Sequence, residues 1–153
     1  MELLKEKFKT KAESAALEIK EIIKTHGTKK VGEVTLAQVY QGMRGITGLV
    51  TETSLLDAQE GIRFRGYSIP ELQASLPKAP GGGEPLPEGL FHLMLLGELP
   101  TQEESETITN IWQRRSHVPN HVFATIDALP INTHPMTMFV TGVMALQTES
   151  NFA

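Results

Sequence analysis

Apolar residues recur at Phe8, Ala12, Ala15, Ala16, Ile19, Ile22 and Ile23, with Lys and Glu between them. That spacing predicts an amphipathic helix from about Leu3 to Thr25, ended by Gly27, whose stripe must dock on something. Thr35-Leu36-Ala37-Gln38 has the form of a capping box and predicts a short helix to about Tyr40. Gly42, Gly45 and Gly48 then make the chain too glycine-rich for a helix. The convincing β-signal follows. Ser54-Leu55-Leu56 and Ile62-Arg63-Phe64-Arg65 flank a turn that opens with Asp57 and closes with Gly61. Alternation puts Ile62 and Phe64 on one face of this hairpin, Arg63 and Arg65 on the other.

Ser68-Ile69-Pro70-Glu71 is a second capping box, opening a helix through Leu72 to Leu76. The Pro/Gly stretch from Pro77 to Pro87 is about ten residues long, a length that joins two helices of one domain more readily than two domains. Leu90 to Leu96 is apolar almost all round, the mark of a buried helix, with Gly97 as its stop. Thr101-Gln102-Glu103-Glu104 is a third capping box, followed by a stripe at Ile108, Ile111 and Trp112. Val122, Phe123, Ile126 and Leu129 form a short helix after Asn120. Thr133 is expected to cap a last helix through Met136, Met138, Phe139, Val140, Val143, Met144 and Leu146, in which Gly142 and Ala145 permit close backbone approach. Its apolar residues exceed one face, so it needs cover on more than one side. The sum is a mainly α chain of about seven helices with one small β-hairpin.

Composition narrows the chemistry. The 153 residues contain no Cys, which removes disulfides, thiolate metal sites and a cysteine nucleophile. No apolar run approaches the roughly 20 residues needed to span a bilayer, so no membrane-spanning helix and no membrane partner are expected. A net charge of −4 argues against nucleic acid as a partner. The first 24 residues lack the apolar core of a secretory signal and carry too many acids for a transit peptide, so the protein works where it is made or has lost a presequence. At the other end, Asn151-Phe152-Ala153 follows a long apolar segment directly, and the chain reads as cut.

The individual candidates are modest. His117 and His121 have a metal-ligand spacing, but Pro119 breaks the helical face between them and leaves a polar surface loop; no metal site is expected. His134 before Pro135 suits a helix cap, and His92 is the edge of its helix that meets solvent or a polar partner. No G-x-S-x-G, Walker or G-x-G-x-x-G pattern occurs, and Gly81 to Gly83 read as a flexible loop. Glu103, Glu104 and Glu106 favour the dipole of the helix they open. Arg63 and Arg65 are expected to form ion pairs within the fold. Arg44, in Gly42-Met43-Arg44-Gly45, has small neighbours that leave its guanidinium accessible for bidentate binding of a phosphate or carboxylate; satisfying loop carbonyls is the alternative.

Taken together, several segments closely resemble the citrate synthase family. They are Gly42-Met43-Arg44-Gly45, Glu52-Thr53-Ser54, Gly61 through Glu71, Glu84 through Phe91, Gly97 through Thr101, His134-Pro135-Met136 and Glu149 through Ala153. The glycine-rich loop before Glu84 is of the eukaryotic mitochondrial type. The resemblance implies a multi-helical, two-domain homodimer of the mitochondrial matrix that condenses acetyl-CoA with oxaloacetate and hydrolyses citryl-CoA to citrate and CoA, with no permanently bound cofactor. In that family an Asp takes a methyl proton, one His stabilises the enol and a second His polarises the ketone, inside a site closed by domain movement. Residues 1–153 are similar to the N-terminal part of the family's large domain, short of those catalytic residues. No catalytic residue is therefore carried over, and the chain alone is expected to be inactive. Arg44 matches an arginine that contacts CoA phosphate in the family, and the helix after His134 matches one at its dimer interface. Two alternatives keep the fold: a non-catalytic dimerisation module, and a 2-methylcitrate synthase using propionyl-CoA.

Overall fold

The computed structural model describes residues 2–150. Seven α-helices and a three-stranded sheet are present among them, and the chain divides into two compact units, Met1–Asn110 and Ile111–Ala153. The last three residues, which carry part of the Glu149–Ala153 resemblance, lie outside the described residues.

The first unit opens with α1 (Glu2–His26), as the periodicity requires. Its docking is only partial. Lys7 and Lys11 reach the end of the fourth helix and the start of the fifth, whereas Leu17, Ile19, Ile22 and Ile23 are all more than half exposed. Among the described residues nothing covers the distal stripe. Helix α2 (Leu36–Tyr40) follows, with the Thr35–Gln38 capping box formed.

The hairpin is larger than its sequence pattern. β1 (Ser54–Asp57) pairs with β2 (Gly61–Phe64) in the register Leu56 opposite Ile62, and Asp57 Oδ1 accepts the amides of Gln59 and Glu60 to shape the turn. β2 then pairs with a short third strand, β3 (Tyr67–Ser68), so the element is an antiparallel sheet in the order β1-β2-β3. The two-residue turn between them is Arg65-Gly66, both at positive φ (48° and 88°), the signs a type I′ turn demands. Arg65 therefore leaves the strand, and the expectation that it shares a face with Arg63 is corrected. A sequence reading assigns such turns to Asn or Asp before Gly, and Arg gives no such signal.

Ser68 caps α3 (Ile69–Ser75) through the second capping box. The glycine-rich loop after it is tied at its base by the Lys78–Pro85 bridge and by Leu86 N donating to Pro77 O at 2.9 Å. It joins α3 to α4 (Pro87–Leu96) within the first unit. Leu72 of α3 and Leu76 at its C-cap pack with the fully buried Leu93 of α4, and Phe64, Tyr67, Leu90 and Leu99 close around them. This is the core of the unit. The third capping box is also formed: Glu104 N donates to Thr101 Oγ1 at 3.2 Å, and Thr101 N to Glu104 Oε2 at 2.9 Å, where α5 (Gln102–Arg114) begins.

The second unit holds α6 (Asn120–Asp127) and α7 (Pro135–Ala145), followed by a 3₁₀ turn at Leu146–Glu149. Gly142 allows their contact: a Cβ there would meet Ile126 Cδ1 at 2.9 Å and Val122 Cγ1 at 3.7 Å. The cap of α7 is His134, whose Nδ1 accepts from Met136 N at 3.1 Å, and not Thr133 as the sequence suggested. A ring nitrogen can fill the role of a hydroxyl when Pro135 at the first helical position needs no amide partner. The opposite face of α7 has little cover. Met136, Phe139, Val140, Val143 and Met144 are 50–68% exposed.

Candidate functional site

Arg44 sits in the loop that leaves α2, and it is exposed. Gly42 N donates to Val39 O at 3.2 Å and Met43 N to Gln38 O at 2.8 Å, the paired bonds of a Schellman motif. The left-handed position that motif requires is Gly42, at φ 72°. Met43 is also left-handed, at φ 65°, a conformation that costs a residue with a Cβ about 1 kcal/mol. The turn thus delivers Arg44 at a fixed place directly after the helix. The Arg44 carbonyl accepts from Gln38 Nε2 at 3.5 Å, but the guanidinium has no acceptor among the described residues. Its five N–H groups face water. Among the described residues no loop carbonyl accepts from this guanidinium.

The other two arginines are occupied. Arg63 pairs with Glu60 at 3.1 Å and lies 3.7 Å from Glu71, and it also donates to Gly66 O. Arg65 is mostly buried and donates through Nε (3.2 Å) and Nη2 (2.7 Å) to Met94 O, one of the last carbonyls of α4. Its contact with Glu52 is long, at 3.9 Å. Lys11 donates to Leu96 O of the same helix end. Two cations therefore satisfy carbonyls that a buried helix terminus leaves open, and both complement its dipole.

The most perturbed group of the first unit is Glu104. Lys7 Nζ lies 2.5 Å from its Oε1, the Thr101 amide binds Oε2, and these hold its carboxyl at a pKa of about 2. The same pair raises Lys7. His92 is 2% exposed, with Nδ1 3.2 Å from Glu98 O and Nε2 3.8 Å from Glu104 Oε1. It meets polar partners as anticipated, but inside the fold and not at a solvent edge. Every member of this cluster ties α1, α4 and α5 together. Asp57 and Glu71 are also lowered, the first by the amides of Glu60 and Gln59, the second by the Ser68 hydroxyl and amide.

The remaining histidines do not converge. His121 Nε2 bonds Ala145 O at 2.9 Å and links α6 to the end of α7, while His117 lies in the loop before α6. Among the described residues no group of three or more His, Asp or Glu is arranged to hold a metal ion. No helix there is long and apolar enough to cross a membrane.

Against this geometry the comparisons are specific. The family profile described as "Citrate synthase, C-terminal domain" matches residues 42–152. The match begins at the turn that carries Arg44 and includes α7. The chain belongs to the citrate synthase family. Among its relatives, it is 56% identical over 134 residues to "Citrate synthase, mitochondrial" of Daucus carota, and 52% identical over 135 residues to the proteins of that name from Kajikia audax and Xiphias gladius. These alignments cover 88% of this chain but 28–29% of the relatives, so the chain spans less than a third of their length.

Proposed function

We propose that this chain is part of a mitochondrial citrate synthase, condensing acetyl-CoA with oxaloacetate and water to give citrate and CoA. The single observation that supports this reading most is the match over residues 42–152 to that family, with relatives above 50% identity that bear that name. The relatives' names support a mitochondrial location, and the matrix is the compartment this reading proposes.

In this reading Arg44 binds a phosphate of CoA. A planar fork of donors suits a phosphate oxygen pair, and a charge-assisted bond of this kind is roughly twice as strong as a neutral one. Because the guanidinium has no acceptor among the described residues, binding breaks no ion pair there first. The residues that move protons during condensation are not assigned within this chain. Its five histidines serve as a helix cap, a carbonyl link, a buried structural contact or exposed positions, and among the described residues none is joined to a second His and an Asp. The exposed face of α7 supports the other half of the proposal, pairing with a second copy to form a homodimer.

The test is thiol release from acetyl-CoA by the complete gene product, followed with a thiol reagent and with citrate detected directly. Release dependent on oxaloacetate supports the proposal, and faster release from propionyl-CoA replaces it with 2-methylcitrate synthase. The apolar face of α7 also favours a second reading, a helical assembly module without turnover. A folded gene product that dimerises but releases no thiol decides for that module. Replacing Arg44 by Ala is expected to weaken CoA binding by about 1–3 kcal/mol, read by calorimetry; an unchanged dissociation constant removes Arg44 from the site.

A further inference from the structure

Helix α2 is five residues long and contains no buried residue, so packing does not hold it. What holds it is hydrogen bonding, and one residue takes part at both ends. Gln38 is third from the N-terminus and third from the C-terminus at once. At the front, its Oε1 accepts from Thr35 N (3.0 Å) and Thr35 Oγ1 (3.1 Å), while its own amide donates to Thr35 Oγ1 (3.3 Å). At the back, its carbonyl accepts from Met43 N at 2.8 Å and closes the Schellman turn. Its remaining side-chain donor, Nε2, points past the turn to Arg44 O at 3.5 Å.

The bonds of Gln38 thus run from residue 35 to residue 44 and end on the residue whose guanidinium is free. Among the described residues the Arg44 side chain has no partner to aim it, so its position depends on its backbone. That backbone follows Gly42 and Met43, both left-handed, the second against its own preference. The two closing bonds of the turn are main-chain, so what the Gln38 side chain adds is the cap on Thr35 and the Nε2 bond to Arg44 O.

We propose that Gln38 is a positioning residue for coenzyme A binding, holding the Arg44 turn in the form that presents the guanidinium. The inference rests on the assignment of Arg44 as a CoA-phosphate contact. Loosening the turn makes binding restore its order, which lowers affinity without removing a contact to the ligand.

The experiment is a double-mutant cycle on the complete gene product, with steady-state kinetics and CoA calorimetry. Gln38→Ala is expected to raise KM for acetyl-CoA about five-fold, leaving kcat and the KM for oxaloacetate unchanged. Gln38→Met, which keeps side-chain length and helix propensity but loses the amide, should behave alike. In an Arg44→Ala background the same Gln38→Ala change should alter KM by less than about two-fold, because the group it positions is gone. An equal factor in both backgrounds overturns the proposal, as does a normal KM in Gln38→Ala when Arg44→Ala raises it. If Arg44→Ala itself leaves CoA binding unchanged, the underlying site assignment fails, a result distinct from either of those.

Discussion

Replacing Arg65 by Asn sets two effects of the same position against each other. The wild-type residue is left-handed at φ 48°, which costs a residue with a Cβ about 1 kcal/mol; Asn tolerates this region better and recovers part of that. Against the gain stands the loss of the bonds from Nε and Nη2 to Met94 O, at 3.2 and 2.7 Å. A hydrogen bond from a charged donor contributes about 1.5–3 kcal/mol. The carbonyl it serves belongs to the end of the helix that contributes Leu93 to the core, so leaving it unpaired adds to the loss. The net expectation is destabilisation by about 1–2 kcal/mol. With a urea slope of about 2 kcal/mol per molar, the denaturation midpoint should fall by about half a molar to one molar. Arg65→Gly, which relieves the turn completely but also removes the donors, should fall as well. If Arg65→Asn unfolds at the same urea concentration as wild type or higher, turn strain outweighs the helix-end bonds and the reasoning is wrong.

Glu104 gives a pH prediction with a definite sign. Its carboxyl is depressed from 4.5 to about 2, so the stability it contributes is complete above pH 4.5 and is lost as the pH falls toward 2. Stability measured by urea titration should fall across that window, and Glu104→Gln should flatten the fall while costing about 1 kcal/mol at neutral pH through the lost Lys7 pair. An acid limb as steep in Glu104→Gln as in wild type would assign the loss elsewhere, with Asp57 and Glu71 the next carboxyls to examine. For α7, Phe139→Glu places a charge in the exposed apolar face and should shift sedimentation from dimer toward monomer by ten-fold or more in dissociation constant. Unaltered sedimentation would show that this face is not where two copies meet.

How much could be read in advance depended on the range of the interactions. The three capping boxes at Thr35, Ser68 and Thr101 are encoded within four residues each, and all three form. The Asp57 turn and the stop at Gly97 are equally local. The misses share a different cause. Arg65 is held in its turn by a carbonyl twenty-nine residues away, and no propensity announces that. β3 is two residues long, below the length at which alternation carries a signal. His92 looked like the polar edge of an apolar helix because its partners, Glu98 and Glu104, come from the following loop and helix. At the candidate site, the free guanidinium of Arg44 was suggested by its small neighbours. Gln38 reads as a capping residue from four positions alone; its bonds to Met43 N and Arg44 O depend on the left-handed turn at Gly42 and Met43, which local pattern does not announce.

The coincidence of both helix ends on Gln38 makes α2 a ruler. With six residues, the side chain that caps Thr35 and the main-chain carbonyl that closes the turn would belong to different residues a hundred degrees apart around the axis. With four, the closing carbonyl would fall one residue before the capping side chain. Changes of side chain other than at Thr35 and Gln38 can be absorbed along this segment, whereas a single inserted or deleted residue between Thr35 and Gly42 would turn Arg44 to a new bearing.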